Sequence, residues 1–175
     1  MGKWTEGIGQ RRLWKAEEFD GLKPTVYDWC RVAAYIDGEG HLNINPSKTR
    51  IGNQRFTSRI LIGNTNPALA IWLKDTFGGN IIIRQSRRWN PRAKDAYIWS
   101  CTAARACWIL HNCTTWMLLK KDQARILMEL QLSVDGTRQG RGRSVDLGVI
   151  SYRSGLNEEL HKLNAKGLVI QLTGE

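Results

Sequence analysis

Val32-Ala33-Ala34-Tyr35-Ile36-Asp37-Gly38-Glu39-Gly40 decides how the rest of this chain is read. Just upstream, Pro24-Thr25 opens a helix with Thr25 as N-cap and Asp28 three residues on. This is an approximate capping box, with Asp where Glu or Gln is usual. Val26, Trp29, Val32, Ala33 and Ile36 recur at helical spacing, and Gly38 and Gly40 stop the run. The adjacent small residues Ala33 and Ala34 let another helix approach closely. Beyond them two carboxylates, spaced by glycines, end the helix. Glu39 lies at the negative end of the helix dipole with nothing basic beside it, which suits a hard divalent cation such as Mg²⁺.

Downstream, Leu42 and Ile44 alternate with His41, Asn43 and Asn45. Phe56, Ser58, Ile60 and Ile62 alternate with Arg55, Thr57, Arg59 and Leu61. Period-2 alternation broken by Gly, Pro, Asn and Ser predicts a two-strand hairpin. Asn64-Thr65-Asn66-Pro67 then caps a helix reaching Phe77, closed by Gly78-Gly79. A second hairpin follows at 81–87 and 97–101, then helical stretches near 103–114 and 121–134, a basic Gly-rich linker at 137–143 and a last helix near 154–165. The order α-ββ-α-ββ-α-α predicts an α+β fold, an antiparallel sheet backed by helices on one face. Residues 1–20 read as an N-terminal extension, 21–136 as the core, and 137–175 as a linker with a C-terminal helix packing on that core.

Of the formal net charge of +10, a surplus of nine falls between His41 and Lys94: ten basic residues against Asp75 alone. The first hairpin's alternation places Asn43, Asn45, Ser47, Arg55, Thr57 and Arg59 on the sheet face away from the core. Lys48, Arg50, Arg84, Gln85, Arg87 and Arg88 extend that basic surface, although the all-apolar run Ile81-Ile82-Ile83 leaves the second hairpin's phase open. Arg can grip guanine bidentately, Asn or Gln can grip adenine, and Lys or Arg on phosphates supplies affinity, so this face is a candidate nucleic-acid surface.

No apolar run approaches the length of a membrane span, and the first residues lack a signal peptide's apolar region. Cys30, Cys101, Cys107 and Cys113 show neither a CxxC pair nor zinc-ligand spacing. They read as reduced, buried thiols in an intracellular, reducing compartment. His41, His111 and His161 form no pattern and read as structural or exposed.

The run VAAYIDGEG resembles the LAGLIDADG motif of the homing endonuclease family, and helix, hairpin, helix, hairpin and helices follow in that family's order from about Thr25 to Val134. Tyr152-Arg153 and Leu163-Asn164-Ala165-Lys166-Gly167 look like the tail of many members. The resemblance implies that Glu39, at the motif's final acid, is the metal-binding catalytic residue, with Gly38 beside it at the metal. Asp37 is assigned to the helix end. It further implies an active-site lysine at Lys120, with Lys121 the alternative one position on. Asn64 is placed as a polar residue beside the site's solvent network, although a helix cap would explain it equally well.

Only one such motif occurs. The resemblance therefore implies a homodimer, joined about a two-fold axis through Ala33, Ala34 and Asp37, with two or more Mg²⁺ bridging the paired sites. Isologous pairing predicts a long palindromic or pseudo-palindromic site in double-stranded DNA. The expected activity is metal-dependent double-strand cleavage that promotes intron mobility. An RNA maturase of the same fold, with intron RNA as partner and no cleavage, stays open, as does a non-catalytic DNA-binding regulator.

Overall fold

The computed structural model describes residues 14–48, 52–85, 92, 94–137 and 145–165. The chain runs α1 (Val26–Glu39), β1 (Gly40–Lys48), β2 (Gln54–Asn64), α2 (Pro67–Phe77), β3 (Asn80–Arg84), β4 (Ala96–Thr102), α3 (Ala103–Cys113), a 3₁₀ turn (Thr114–Trp116), α4 (Lys121–Gly136) and α5 (Leu147–Ala165). The strands form one antiparallel sheet in the order β1-β2-β4-β3. The α+β arrangement expected from the sequence is the one observed.

α1 begins with a full capping box. The Thr25 hydroxyl accepts from the Asp28 N–H at 3.3 Å, and the Asp28 carboxylate accepts from the Thr25 N–H at 2.8 Å. The helix buries Trp29, Val32, Ala33 and Ile36. The ring of Trp29 meets Trp108 of α3 nearly edge-on, with centroids 5.1 Å apart, and lies 5.2 Å from Phe77 of α2. This aromatic node joins three helices and holds α1 against the layer behind the sheet.

In β1 and β2, Leu42, Ile44, Phe56, Ile60 and Ile62 are buried, as the alternation predicts. Ser58, also in the buried row, donates to the Leu127 carbonyl of α4 at 2.8 Å, so its hydroxyl is satisfied inside the core. Register settles the second hairpin. Trp99 and Cys101 are buried, so Ala96, Ile98, Ser100 and Thr102 of β4 lie on the open face. Their partners Arg84, Ile82 and Asn80 lie there too.

Two segments add to the sequence reading. Residues of the expected extension are bound to α3: Trp14 is buried, Trp108 Nε1 donates to the Ala16 carbonyl at 2.9 Å, and Asn112 Nδ2 donates to the Trp14 carbonyl at 3.0 Å. α5 starts at Leu147, seven residues before the expected 154. Its buried stripe Val149, Arg153, Leu156, Leu160 includes an arginine, which disguises the helical period. The Arg153 guanidinium donates to the Ser133 carbonyl at 2.7 Å and the Ser133 hydroxyl at 3.1 Å, and also to Thr137 Oγ1, tying α5 to the end of α4. Asn164 Nδ2 fastens the far end of α5 to the Leu42 carbonyl at 3.0 Å.

Candidate active site and nucleic-acid interface

α1 runs straight into β1, and the junction depends on Gly40. A Cβ there would stand 2.6 Å from both Cα and O of Ile36, so only glycine lets the chain leave the helix this sharply. Glu39 is consequently held exposed at the head of the sheet. Asn64, at the end of β2, donates its Nδ2 to Glu39 Oε2 at 3.2 Å. The two readings of Asn64 divide between two residues. Asn66 caps α2 by accepting from the Ala68 N–H at 2.9 Å, while Asn64 Oδ1 accepts from the Asn66 N–H at 2.9 Å. With the cap supplied by Asn66, the amide NH₂ of Asn64 is left to orient the carboxylate.

Lys120 is the lysine that reaches this junction. Its Nζ donates to the carbonyls of Ile36 at 2.8 Å and Gly40 at 2.7 Å, placing a cation at the negative end of α1. An ammonium has three N–H donors, so among the described residues one is left over. Burial lowers the Lys120 pKa from its ordinary value, and the Asp37 carboxylate pulls it back only in part. Lys121 is exposed at the first position of α4.

Ala33 and Asp37, both expected at a dimer contact, have partners within the chain. Ala33 is fully buried in the chain's own core, because it shares the helix stripe of Trp29 and Ile36. The Asp37 carboxylate accepts from the Lys120 N–H at 3.0 Å and from the Leu118 N–H, which pins the turn that delivers Lys120. Ala34 and Gly38, by contrast, are exposed on α1, with Tyr27 and Arg31 on the same face. Leu118 and Leu119, beside the end of α1, are exposed at 84% and 52%. This apolar knuckle was not legible in the sequence, since Trp116-Met117-Leu118-Leu119 is apolar throughout and offers no periodicity to separate the buried Met117 from the exposed leucines.

The donor set at the junction is hard oxygen: the Glu39 carboxylate and the Gly38 carbonyl, one of the last-turn carbonyls that lack an intrahelical partner. Among the described residues no group of three or more His, Cys, Asp or Glu could hold a metal ion. Few oxygen donors of this kind suit a cation that keeps waters and takes phosphate oxygens. The thiols contribute nothing to it. Burial raises Cys101 and Cys113 to about 12 and Cys107 further, and all four cysteines are free.

The open face carries Asn43, Asn45, Ser47, Arg55, Thr57 and Arg59 in facing pairs: Asn43 with Arg59, Asn45 with Thr57 and Ser47 with Arg55. Arg84 shares this face, and Gln85 follows it, exposed. Lys48 is in phase with Leu42 and Ile44, so it projects from the opposite side at the hairpin's exposed end. Lys74 belongs to α2, behind the sheet. Arg50, Arg87 and Arg88 lie outside the described residues. The face is not uniformly polar, since Ile82 and Ile98 stand opposite each other on it.

An αββαββα unit with an acid-glycine junction at the head of an open basic sheet has clear counterparts among solved structures. I-CvuI, a homing endonuclease solved in complex with DNA, superposes with a TM-score of 0.65 at 12% identity, over 80% of this chain and 83% of that one. The archaeal intron-encoded homing endonuclease I-Vdi141I, complexed with DNA, gives 0.63 at 18%, over 81% and 86%. The fold is that of the LAGLIDADG homing endonucleases. The meganuclease I-SmaMI, bound to uncleavable DNA, gives 0.51 at 17% identity, over 77% of this chain but 47% of that one. No family profile and no curated protein matches the sequence itself. No helix among the described residues is long and apolar enough to cross a membrane.

Proposed function

We propose that the chain is a sequence-specific, Mg²⁺-dependent DNA endonuclease that acts as a two-fold pair. The observation that carries this reading is Glu39, held exposed by Asn64 at the head of a sheet whose open face carries Arg55, Arg59 and Arg84. With Asp37 engaged by the Leu118 and Lys120 N–H groups, a single motif leaves the Glu39 carboxylate for the cation, and hydrolysis of both strands of a duplex asks for two. The exposed small residues Ala34 and Gly38 let a second α1 approach closely, which would bring two Glu39 residues together. Coverage of 83% of I-CvuI and 86% of I-Vdi141I, against 47% of I-SmaMI, supports reading residues 14–165 as one such unit.

Glu39 and the Gly38 carbonyl would hold the cation. Bound there, Mg²⁺ supplies activation of a water and stabilisation of charge on the leaving oxygen. The chain's own residues perform the rest. Asn64 holds the Glu39 carboxylate in place, and Asp37 fixes the backbone from which Lys120 reaches the junction. Lys120 directs its remaining N–H and its charge at the phosphate, where negative charge develops in the transition state. Each open sheet face reads a half-site in the major groove. A double-strand break at one long site is the event that moves an intron or insertion into an empty copy of that site.

The test is incubation with a library of two-fold-symmetric DNA targets, with and without Mg²⁺, and sedimentation of the complex formed. Cleavage only with metal, and two chains per duplex, are the expected results. Binding without cleavage under every metal condition would instead favour a splicing cofactor or regulator, and one chain per duplex would remove the two-fold arrangement.

A further inference from the structure

One side-chain pair on the open face is already made. Asn43 on β1 stands directly opposite Arg59 on β2, and Arg59 Nε donates to Asn43 Oδ1 at 3.0 Å. Chemistry fixes the orientation of the amide: arginine has no acceptor, so the atom facing Nε is the oxygen. Both residues are half-buried, and the exposed Thr102 of β4 flanks Arg59 on its other side. Among the described residues no ion pair engages Arg59.

Resting on the nuclease reading above, we propose that Asn43 and Arg59 form one guanine-reading unit, in which Arg59 touches the base and Asn43 only positions it. With Nε committed to Asn43, the guanidinium is left with its two terminal nitrogens, and both are donors only. In the major groove guanine presents two acceptors, O6 and N7. Adenine sets a donor beside its acceptor, cytosine presents a donor, and thymine presents one acceptor beside a methyl. Two parallel donors therefore match guanine alone. Asparagine reads adenine by offering oxygen and NH₂ side by side, but here the oxygen is turned to Arg59, so reading adenine would break the bond already made. This changes the role expected of Asn43, from a reader of its own base to a positioning residue. Asn43 lies three residues beyond Gly40, about 10 Å along the strand. The guanine therefore falls toward the inner end of each half-site, and two-fold symmetry puts a cytosine at the mirror position of the same DNA strand.

The experiment is selection of bound targets from a randomised duplex library by the full chain and by three variants. Wild type is expected to select guanine at one inner position of each half-site. Arg59→Lys keeps the charge but loses the fork, and should lose that preference by about tenfold or more while total affinity changes little. Asn43→Ala should weaken preference at the same position and at no other. Asn43→Asp, which keeps an acceptor for Nε, should restore it. An adenine preference lost elsewhere in Asn43→Ala would overturn the division of roles, and a uniform fall in affinity with Arg59→Lys would make Arg59 a phosphate contact. A wild-type protein that selects a full target with no guanine dependent on Arg59 overturns this inference alone. One that selects no sequence at all overturns the endonuclease reading with it.

Discussion

Gly38 and Gly40 are two residues apart, and their surroundings set opposite limits. Gly40 faces main-chain atoms of Ile36 that cannot move aside, whereas a Cβ at Gly38 would meet nothing within 4 Å. Gly40→Ala should therefore lower the melting temperature and displace Glu39. Gly38→Ala should raise the stability of the isolated fold by about 0.5–1 kcal/mol, because it adds helix propensity inside α1. Thermal unfolding of the two variants checks both expectations. Lys120 joins structure and chemistry at the same junction, donating to two carbonyls at the end of α1. Lys120→Met should cost about 1.5 kcal/mol, near the lower end for charged hydrogen bonds because the amine is only part-buried, and should abolish cleavage. Lys121→Met, at an exposed position, should change neither the denaturation midpoint nor the cleavage rate appreciably.

At the scale of elements, the capping box of α1 is the most readable feature and gives a pH prediction. Burial pushes the Asp28 pKa up, but hydrogen bonds from Thr25 and Trp72 and the nearby Arg31 outweigh it, so the group lies below the ordinary 3.8. A depressed carboxylate stabilises the fold fully above its unfolded pKa, and loses that contribution as the pH falls through the folded value. Wild type should therefore lose stability in acid below about pH 4, and Asp28→Asn should show less of that loss. Removing the other half of the box, Thr25→Ala, should cost about 1 kcal/mol at neutral pH. α5 provides the opposite case. Its start was illegible because buried Arg153 occupies an apolar stripe position, and only the Ser133 and Thr137 acceptors of α4 explain that arginine. Arg153→Met should lower the midpoint of chemical denaturation, at a cost of about 1–3 kcal/mol, since it removes the charged hydrogen bonds to Ser133 and Thr137 and leaves the Ser133 carbonyl to the Thr137 hydroxyl alone. The first hairpin could be phased from sequence because one row is apolar and the other polar. Ile81-Ile82-Ile83 gave no such contrast, and only register against Trp99 and Cys101 assigned Ile82 and Arg84 to the open face.

For the whole molecule, the charge excess read from the sequence separates into parts with different places. Arg55, Arg59 and Arg84 share the open sheet face, Lys74 sits behind it, and Lys120 is drawn to the end of α1. The candidate site was legible as residue types, Glu39, Asn64 and Lys120. Their connections were not, because Asn64 meets Glu39 across 25 residues and Lys120 meets Gly40 across 80. The exposed leucines at 118 and 119, beside the end of α1 that carries Ala34 and Gly38, add apolar surface that the proposed second copy would cover. If paired Glu39 carboxylates at this junction cut DNA that the sheets hold, strand cleavage on a selected target in Mg²⁺ must separate wild type from Glu39→Gln at matched DNA occupancy. Wild type is expected to cut both strands at positions related by the two-fold axis, and Glu39→Gln to bind the same target and cut neither. Cleavage by Glu39→Gln at the wild-type rate would remove Glu39 from the chemistry.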